Sequence, residues 1–359
     1  MPPRMIRILL VEDSPVASAI LQRLLRGQPD LQVVGVARHG LEALALIPQV
    51  NPQIICTDLH MPRMDGLELT REVMARCPRP ILVISASVQE EDTHNVFRIL
   101  EAGALDIFPK PITGLTAEYE KAQQELLTKI RVLSGVSVFT QHRRDRPAPV
   151  PRPTPLPAAP RHPALDIRAP RVLAIGASTG GPQALQTIFE ALPAKFPVPI
   201  LCVQHISAGF LGGLIDWLNV KSRLRIRIAE AGELPQTNTV YFAPERHHLQ
   251  LDSQGRLRPV QSAPVCGHCP SVTVLFESVA NHYRRSAAGI LLTGMGRDGA
   301  DGLQAIAQVG GTTIAQDEAT SVVFGMPKEA IALGAAQHVL PIQKIPPFLL
   351  EQVFSLSVK

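Results

Sequence analysis

The chain has 359 residues, which is more than a single hydrophobic core usually serves, so we expect two domains. Hydrophobic residues make up 45% of the sequence and charged residues 18%, a composition typical of globular proteins. The formal net charge of +4 is small for this length, and no block of Lys and Arg lies in a segment predicted to fold, which disfavours nucleic-acid binding.

The cysteines and the amino end favour a cytoplasmic protein. The five cysteines are an odd number, and three of them lie in apolar or helical stretches, unlike a secreted disulfide framework. Residues 1–4 lead directly into a strand-like segment, and we find neither a signal peptide nor an apolar stretch long enough to span a membrane. We therefore expect a cytoplasmic protein that does not insert into the membrane.

The first third of the chain alternates predicted strands with predicted helices. The strand at residues 6–11 is followed by Ser14, which is suited to cap a helix with Pro15 at its first position. Further strands are predicted at residues 33–37, 54–57, 81–85 and 106–108, and helices at residues 40–47 and 66–75. This alternation predicts an α/β fold with a doubly wound parallel sheet.

Polar side chains lie at the carboxyl ends of these strands, where doubly wound sheets bind ligands. The first strand leads into Glu12 and Asp13, and the third into Asp58. Three carboxylates in one pocket repel each other unless a cation lies among them, and Mg²⁺ prefers oxygen ligands. Ser85 ends the fourth strand, and Lys110 follows the fifth, where it supplies a point charge suited to phosphate.

These residues, with Met61-Pro62-Arg63-Met64-Asp65-Gly66 after the third strand and a Lys-Pro pair after the fifth, resemble the signature of response-regulator receiver domains. The resemblance implies that Asp58 is phosphorylated and that Glu12, Asp13 and Asp58 bind Mg²⁺. It also implies that Ser85 and Lys110 contact the phosphoryl oxygens.

Two features near these residues are interpreted differently. The family usually has an aromatic switch residue three positions before its lysine, and here Ile107 stands there with Phe108 beside it. The departure concerns the aromatic part of the switch, and phosphorylation is still expected. Asp65 and Gly66 are interpreted as a turn.

A change of composition separates this domain from the rest of the chain. Residues 115–133 are predicted to form an amphipathic helix that closes a receiver domain at residues 1–133. Residues 134–170 are predicted to be a linker, Pro-rich from about residue 145, where the sequence lacks the apolar content of a core. Such a segment is semi-rigid and extended. Residues 171–359 are assigned to a second domain.

The second domain opens with a glycine-rich turn at residues 176–181, directly after an apolar strand. Small residues on both sides of Ser178 leave room for a substrate, and the N–H groups of the following helix are available to an anion. On its own the turn fits a catalytic nucleophile, a phosphate loop or a plain connection, of which the last two are more frequent.

Two later strands complete a candidate triad. The strand at residues 199–204 leads into His205, and the strand at residues 287–292 leads into a loop that carries Asp298. At one sheet edge these residues have the geometry in which an imidazole takes the serine proton and a carboxylate fixes its tautomer. The order Ser, His, Asp excludes the α/β-hydrolase fold, in which Asp precedes His.

From residue 172 onwards the chain is similar to the catalytic domain of the CheB family of chemotaxis protein-glutamate methylesterases, a second doubly wound α/β domain. The similarity rests on residues 176–181, Gln204-His205-Ile206, Tyr241-Phe242-Ala243-Pro244 with His247, Pro270-Ser271-Val272, residues 293–299 and Phe324-Gly325-Met326-Pro327. It implies that Ser178 is the nucleophile, His205 the general base and Asp298 its orienting carboxylate. The backbone N–H groups near Thr179 and Met295 would form the oxyanion hole.

The resemblance also implies the regulation, the reaction and the partners of the protein. A receiver joined by a linker to this domain is the family's architecture, in which the unphosphorylated receiver would cover the Ser178 edge. The enzyme would demethylate glutamate methyl esters on the cytoplasmic domains of methyl-accepting chemoreceptors, giving glutamate and methanol, without a cofactor for that reaction. The family also deamidates glutamines. A chemotaxis histidine kinase would be the phosphodonor.

Two alternatives of other classes are open to test. A receiver-gated interaction module without catalysis would not need the complete set of Ser178, His205 and Asp298. A DNA-binding output domain is disfavoured because the sequence has neither a helix-turn-helix pattern nor a basic face.

Three further positions carry open interpretations. His247 has either a role beside the catalytic residues or in the substrate groove, or a purely structural one. Thr273 stands where many relatives have an acid, which alters a surface charge or a helix start. Cys266 and Cys269 have metal-ligand spacing, but no second Cys or His pair matches it, which favours a loop with two free thiols over a zinc site.

Overall fold

Two parallel β-sheets flanked by helices make up the computed structural model, which describes residues 5–85, 90–110, 116–138 and 169–355. The predicted α/β architecture is confirmed for both parts of the chain. The Pro-rich part of the predicted linker lies outside the described residues, except for its last two. The proposed domain limits stay a prediction. Among the described residues, no helix is both long and apolar enough to cross a membrane.

The amino-terminal sheet is parallel throughout, with strand order β2-β1-β3-β4-β5. Its elements are β1 Ile6–Val11, α1 Pro15–Leu25, β2 Leu31–Ala37, α2 Gly40–Val50, β3 Ile54–Thr57, α3 Gly66–Arg76, β4 Ile81–Ser85, α4 Glu90–Glu101, β5 Asp106–Pro109 and α5 Thr116–Leu133. β1 and β3 are neighbours, so the residues that follow them lie side by side at the carboxyl edge.

Local capping explains where two of these helices begin. Ser14 caps α1 by accepting a hydrogen bond from the Ala17 N–H (3.3 Å), and Pro15 is the first helical residue, as predicted. The interpretation of Asp65 and Gly66 as a turn is wrong, because Asp65 caps α3 in a capping box with Glu68. A Cβ on Gly66 would lie 2.2 Å from the Asp58 carbonyl oxygen, so glycine permits the close approach of α3 to the end of β3.

The carboxyl-terminal sheet has seven parallel strands in the order β14-β13-β12-β6-β7-β9-β8, and β10 and β11 form a separate antiparallel hairpin. Its elements are β6 Val172–Ala177, α6 Gly181–Ala191, β7 Ile200–Gln204, α7 Leu211–Lys221, β8 Arg225–Ile228, β9 Thr239–Phe242, β10 His248–Leu251, β11 Leu257–Val260, α8 Val272–Tyr283, β12 Ala287–Leu291, α9 Ala300–Gln308, β13 Thr312–Gln316, α10 Met326–Ala332, β14 His338–Leu340 and α11 Ile345–Phe348. β6 lies between β12 and β7, so the strand order reverses there and opens a crevice for a ligand.

The two sheets share packed surfaces. One continuous apolar cluster includes residues of the receiver sheet and of the catalytic sheet. Where α4 meets α7, the rings of Phe97 and Trp217 stack with centroids 5.6 Å apart. Nearby, Lys221 Nζ lies 2.8 Å from Glu101 Oε1. The amino-terminal unit therefore packs against the helices that flank β6 and β7.

Candidate active site and phosphoacceptor site

The carboxyl edge of the second sheet brings the three predicted catalytic residues together. β6 ends at Ala177 and β7 at Gln204, and these two residues are register partners. Ser178 and His205 are therefore the next residues on neighbouring strands, and the His205 N–H donates to the Ala177 carbonyl (2.9 Å). Asp298 reaches the same edge from the loop after β12, the strand on the other side of β6.

Gln204 fixes the backbone of both neighbouring residues. Its Nε2 donates to the carbonyls of Ser178 and His205, each at 2.8 Å, and the side chain is buried. In the sequence Gln204 stands out only as part of a family block, because its bridging contact reaches a residue 26 positions earlier. The bridge holds the two residues at a fixed separation.

The loop after β12 closes tightly against the Ser178 turn. The Ser178 N–H donates to the Thr293 carbonyl (3.0 Å), and Thr293 Oγ1 donates to the Thr179 carbonyl (2.9 Å). A Cβ on Gly294 would lie 2.6 Å from Ser178 Cβ and 2.3 Å from Met326 Sδ. Only glycine permits this approach, so the loop fixes the position of Ser178.

His205 has one ring nitrogen engaged and one available. Its Nε2 lies 2.8 Å from Asp298 Oδ2, and because an ionised carboxylate only accepts hydrogen bonds, Nε2 carries the proton. His205 Nδ1 is buried and has no hydrogen-bond partner among the described residues. An unprotonated Nδ1 is a base, and Ser178 is on the neighbouring strand.

Asp298 is held as an anion although only 1% of the residue is exposed. Its carboxylate accepts from Ser271 Oγ (2.7 Å), from the Val272 N–H (2.7 Å) and from the Thr273 N–H (3.0 Å), all at the start of α8. Burial by itself would raise the pKa of Asp298, but the hydrogen bonds from His205 and these donors outweigh it and hold the pKa well below its usual range. The positive end of the α8 dipole favours the same charge.

The structure decides between the two interpretations of Thr273, whereas the role of His247 stays a prediction. Thr273 is buried in the first turn of α8, and its Oγ1 accepts from the Gly299 N–H (2.8 Å), so it affects a helix start and not a surface charge. His247 Nδ1 lies 2.8 Å from the Glu245 carbonyl oxygen, a local contact that fits a structural role.

Thr179 and Met295, which are predicted to supply oxyanion donors, belong to the two segments that meet at Ser178. Thr179 follows it in the turn, and Met295 lies in the loop that carries Thr293. Among the described residues, the backbone N–H groups of Thr179 and Met295 have no hydrogen-bond acceptor. Their role in the oxyanion hole stays a prediction.

The receiver touches the turn that carries Ser178. Thr179 Oγ1 donates to Oδ2 of Asp106, the first residue of β5, at 3.0 Å. Lys129 of α5 donates to the same oxygen at 2.5 Å. In the first turn of α6, Gln183 Nε2 donates to the Ala104 carbonyl (3.0 Å). Thr179 is buried in this contact, next to the candidate nucleophile.

Apolar contacts extend the same interface. Val323 belongs to the apolar cluster between the receiver sheet and α5, and Val322 and Met295 pack against that cluster. Met295 is thus part of both the candidate oxyanion site and the interface. The receiver therefore lies against two of the segments that form the active site.

The predicted phosphoacceptor pocket assembles at the carboxyl edge of the first sheet. Carboxylate oxygens of Glu12, Asp13 and Asp58 lie within 4.8 Å of one another, with Glu12 and Asp58 buried and Asp13 exposed. Lys110 Nζ donates to Glu12 Oε1 (2.9 Å) and Asp58 Oδ2 (2.6 Å). Ser85 is buried at the end of β4, and its carbonyl accepts from the Lys110 N–H (2.7 Å).

The donor set in this pocket fits a hard divalent cation. Burial raises the pKa of Glu12, and the neighbouring Asp58 adds to the rise while Lys110 opposes it. Burial by itself would lower the pKa of Lys110, but the contacts with Asp58 and Glu12 outweigh it and raise the pKa. Glu12 Oε2 is buried and lies 2.9 Å from Lys110 Nζ, and the clustered carboxylate oxygens of Glu12, Asp13 and Asp58 are the hard ligands that Mg²⁺ prefers.

The structure also describes the residues at the switch position and the two cysteines of the 261–271 loop. Ile107 and Phe108 are both buried and belong to different apolar clusters, on opposite faces of β5. An aliphatic side chain thus fills the position where receivers usually have an aromatic one.

Cys266 and Cys269 are free thiols, and neither belongs to a group of three potential metal ligands within the described residues.

Known proteins resemble this chain along almost its whole length. Residues 173–349 match the family model described as CheB methylesterase, and residues 8–117 match the response regulator receiver domain. Protein-glutamate methylesterase/protein-glutamine glutaminase 1 of Syntrophus aciditrophicus is 40% identical over 355 residues, which cover 98% of this chain and 100% of that protein. Protein-glutamate methylesterase/protein-glutamine glutaminase 3 of Hahella chejuensis is 42% identical over 344 residues, covering 96% and 97%.

A solved structure supports the same relationship for the carboxyl-terminal unit. The crystal structure of the Thermotoga maritima CheB methylesterase catalytic domain aligns with a TM-score of 0.50 at 40% identity, and covers 52% of this chain and 100% of that one. The relatives match both units of the chain in the order in which they occur here. The chain therefore belongs to the CheB methylesterase family.

Proposed function

We propose that this protein is a phosphorylation-controlled serine hydrolase of the cytoplasm that demethylates glutamate methyl esters on methyl-accepting chemoreceptors. The observation that carries the proposal is the pair formed by His205 and Asp298, whose geometry leaves His205 Nδ1 without a partner beside the Ser178 strand. The receptors' cytoplasmic domains are the substrate, and the products are glutamate and methanol.

The reaction proceeds through an acyl-enzyme. Ser178 Oγ attacks the ester carbonyl while His205 Nδ1 takes its proton, and Asp298 stabilises the imidazolium. The N–H groups of Thr179 and Met295 receive the developing oxyanion. His205 returns the proton to the departing methoxide, and water then releases the glutamate by the same steps. A glutamine side chain gives glutamate and ammonia by the same route.

Phosphorylation occurs at Asp58, with a chemotaxis histidine kinase as the donor. Glu12, Asp13 and Asp58 would hold Mg²⁺, which would supply positive charge to balance that of the phosphoryl group. Ser85 and Lys110 contact the phosphoryl oxygens. The ion pair between Lys110 and Asp58 supports this role.

β5 connects this pocket to the active site. Lys110 follows its last residue, and Asp106 is its first, so the two side chains lie about 13 Å apart along the strand. Phosphorylation of Asp58 changes the partners of Lys110 at one end, while Asp106 holds Thr179 at the other. A difference of a few kcal/mol between the covered and the open arrangement is sufficient for such control.

Replacing Ser178 by Ala tests the hydrolase. We expect methanol release from methylated receptor to fall to background, because the nucleophile is lost, and labelling by a serine-directed fluorophosphonate to disappear. Ser253→Ala, at an exposed hairpin turn, is the matched control and keeps both signals. Undiminished turnover in Ser178→Ala contradicts the proposal, and the absence of wild-type labelling favours an interaction module instead.

Replacing Asp58 by Asn tests whether phosphorylation of this residue controls the hydrolase. Wild-type methanol release rises when Mg²⁺ and a small-molecule phosphodonor are added, and we expect Asp58→Asn to lose this response while keeping the basal rate. Asp30→Asn removes a carboxylate that pairs with Arg131 outside the pocket, and it still responds. An Asp58→Asn protein that responds to the phosphodonor contradicts this scheme.

A further inference from the structure

The ring of His268 lies flat against the ring of His205. The two centroids are 3.8 Å apart, and the ring planes differ by 9°. His268 belongs to the loop at residues 261–271, which joins the β10–β11 hairpin to α8. Ser271 is the last residue of the same loop, and its Oγ donates to Asp298 Oδ1 at 2.7 Å. One loop therefore contacts both the candidate base and its carboxylate.

The 261–271 loop is anchored so that these contacts are fixed. The buried His248 contacts both ends of the loop. Its Nδ1 accepts a hydrogen bond from the Ser271 N–H (3.1 Å), and its Nε2 lies 3.1 Å from the Ala263 carbonyl oxygen. Within the loop, Val265 and His268 exchange two backbone hydrogen bonds of 3.0 Å. His268 is thus held by a closed turn.

We propose that His268 is a positioning residue for the hydrolase reaction, and that it supports His205 by ring stacking. The inference rests on the function proposed above. The flat contact keeps the His205 ring in the plane that directs Nε2 towards Asp298 and leaves Nδ1 without a partner beside the Ser178 strand. It also covers one face of the His205 ring, in a site where water would compete for the proton.

The stacked ring has a second effect that appears only during the reaction. His205 becomes positively charged when it takes the Ser178 proton, and the face of a stacked aromatic ring attracts a cation. An interaction that strengthens in the transition state raises kcat and leaves KM unchanged. His268 therefore contributes to the rate of Ser178 acylation and not to receptor binding.

Exchange of His268 for a non-aromatic or a different aromatic side chain tests the inference. His268→Leu removes the ring, and we expect roughly a 3- to 30-fold loss in kcat and in the rate of fluorophosphonate labelling at Ser178, with KM unchanged. His268→Phe keeps a flat neutral ring, and we expect it to stay within about 3-fold of wild type. Full-length protein is used, with and without phosphodonor.

A matched control removes a histidine that is remote from the site. His282 is the last but one residue of α8, about 15 Å along the helix from the end that faces Asp298, and its ring contacts Tyr283. His282→Leu leaves kcat and labelling unchanged. Melting temperatures are measured for all variants, and if His268→Leu does not fold, His268→Gln takes its place in the comparison.

Three results would overturn the inference: a ring-free variant that labels at the wild-type rate, equal losses in the Leu and Phe variants, or a change confined to KM. A wild-type protein that neither releases methanol nor labels would instead overturn the proposed function. The two failures are therefore distinguishable.

Discussion

The Asp298 carboxylate combines nearly complete burial with a full set of hydrogen-bond donors. His205 and three groups at the start of α8 donate to it, so its negative charge is retained without solvent. The same interactions orient the His205 ring, because Nε2 has to face the carboxylate. A single residue thereby links helix packing to the protonation state of the candidate base.

This arrangement predicts a pH-dependent contribution to stability. The pKa of Asp298 is lower in the folded than in the unfolded protein, so its contribution is complete above the ordinary aspartate value of about 3.9 and is lost as the pH falls below it. At pH 7 we expect Asp298→Asn to reduce the free energy of unfolding by on the order of 2 kcal/mol. Below about pH 4, the difference in the free energy of unfolding between wild type and Asp298→Asn narrows.

Urea denaturation followed by Trp217 fluorescence measures this difference, since Trp217 is the chain's single tryptophan. Asp301→Asn is the control, because Asp301 forms an exposed ion pair with Arg297 and such pairs contribute little. A difference between wild type and Asp298→Asn that stays constant from pH 7 to pH 3 contradicts the prediction.

At the scale of elements, the end of β6 and the loop after β12 determine where Ser178 lies. Local rules account for several element boundaries, such as the caps on α1 and α3. They are less reliable near proline: the predicted helix at residues 40–47 stops before Pro48, whereas α2 continues to Val50. A proline in the last turn removes only one hydrogen bond near the helix end, so packing overrides it.

Gly294→Ala tests the contact between these two segments. The new methyl group would overlap Ser178 and Met326, so we expect the nucleophile to shift and kcat to fall about 10- to 100-fold. The melting temperature also falls, since overpacking costs about 1–3 kcal/mol. Methanol release and thermal unfolding measure the two effects.

Gly212→Ala is the matched control for this substitution. Gly212 is an exposed helical residue of α7, and a Cβ there would meet no atom within 4 Å. We expect a gain in stability of roughly 0.5–1 kcal/mol and unchanged kcat. A Gly294→Ala enzyme as active as Gly212→Ala would show that the loop does not constrain Ser178.

At the scale of the whole molecule, the receiver is packed onto the catalytic unit through α4, β5 and α5. Thr179, which follows the candidate nucleophile Ser178, donates a hydrogen bond to Asp106, and elsewhere in the interface Phe97 of α4 stacks on Trp217 of α7. Because Thr179 follows Ser178, we expect a movement of β5 to change the environment of the candidate nucleophile directly.

Asp106→Ala tests whether this contact restrains the enzyme. Loss of a charge-assisted hydrogen bond across the interface is expected to raise the unphosphorylated rate of methanol release roughly 3- to 10-fold, with little change in the phosphorylated rate. Lys129→Met breaks the ion pair within the receiver but retains the bond from Thr179, and it keeps the basal rate low. If both substitutions raise the basal rate equally, the cause is a less stable receiver and not the loss of the Asp106–Thr179 contact.

The sequence by itself determined the two doubly wound sheets, the strand ends that carry the candidate phosphoacceptor pocket and the candidate triad, and the order of the two units. These follow from local periodicity, caps and the rule that ligands gather at carboxyl ends of parallel strands. Only the tertiary structure decided which nitrogen of His205 faces Asp298, that Gln204 bridges Ser178 and His205, that His268 stacks on His205, and that Asp106 contacts Thr179. These features depend on side-chain orientation between residues distant in the chain, such as the 73 positions between Asp106 and Thr179, and no local pattern encodes such contacts.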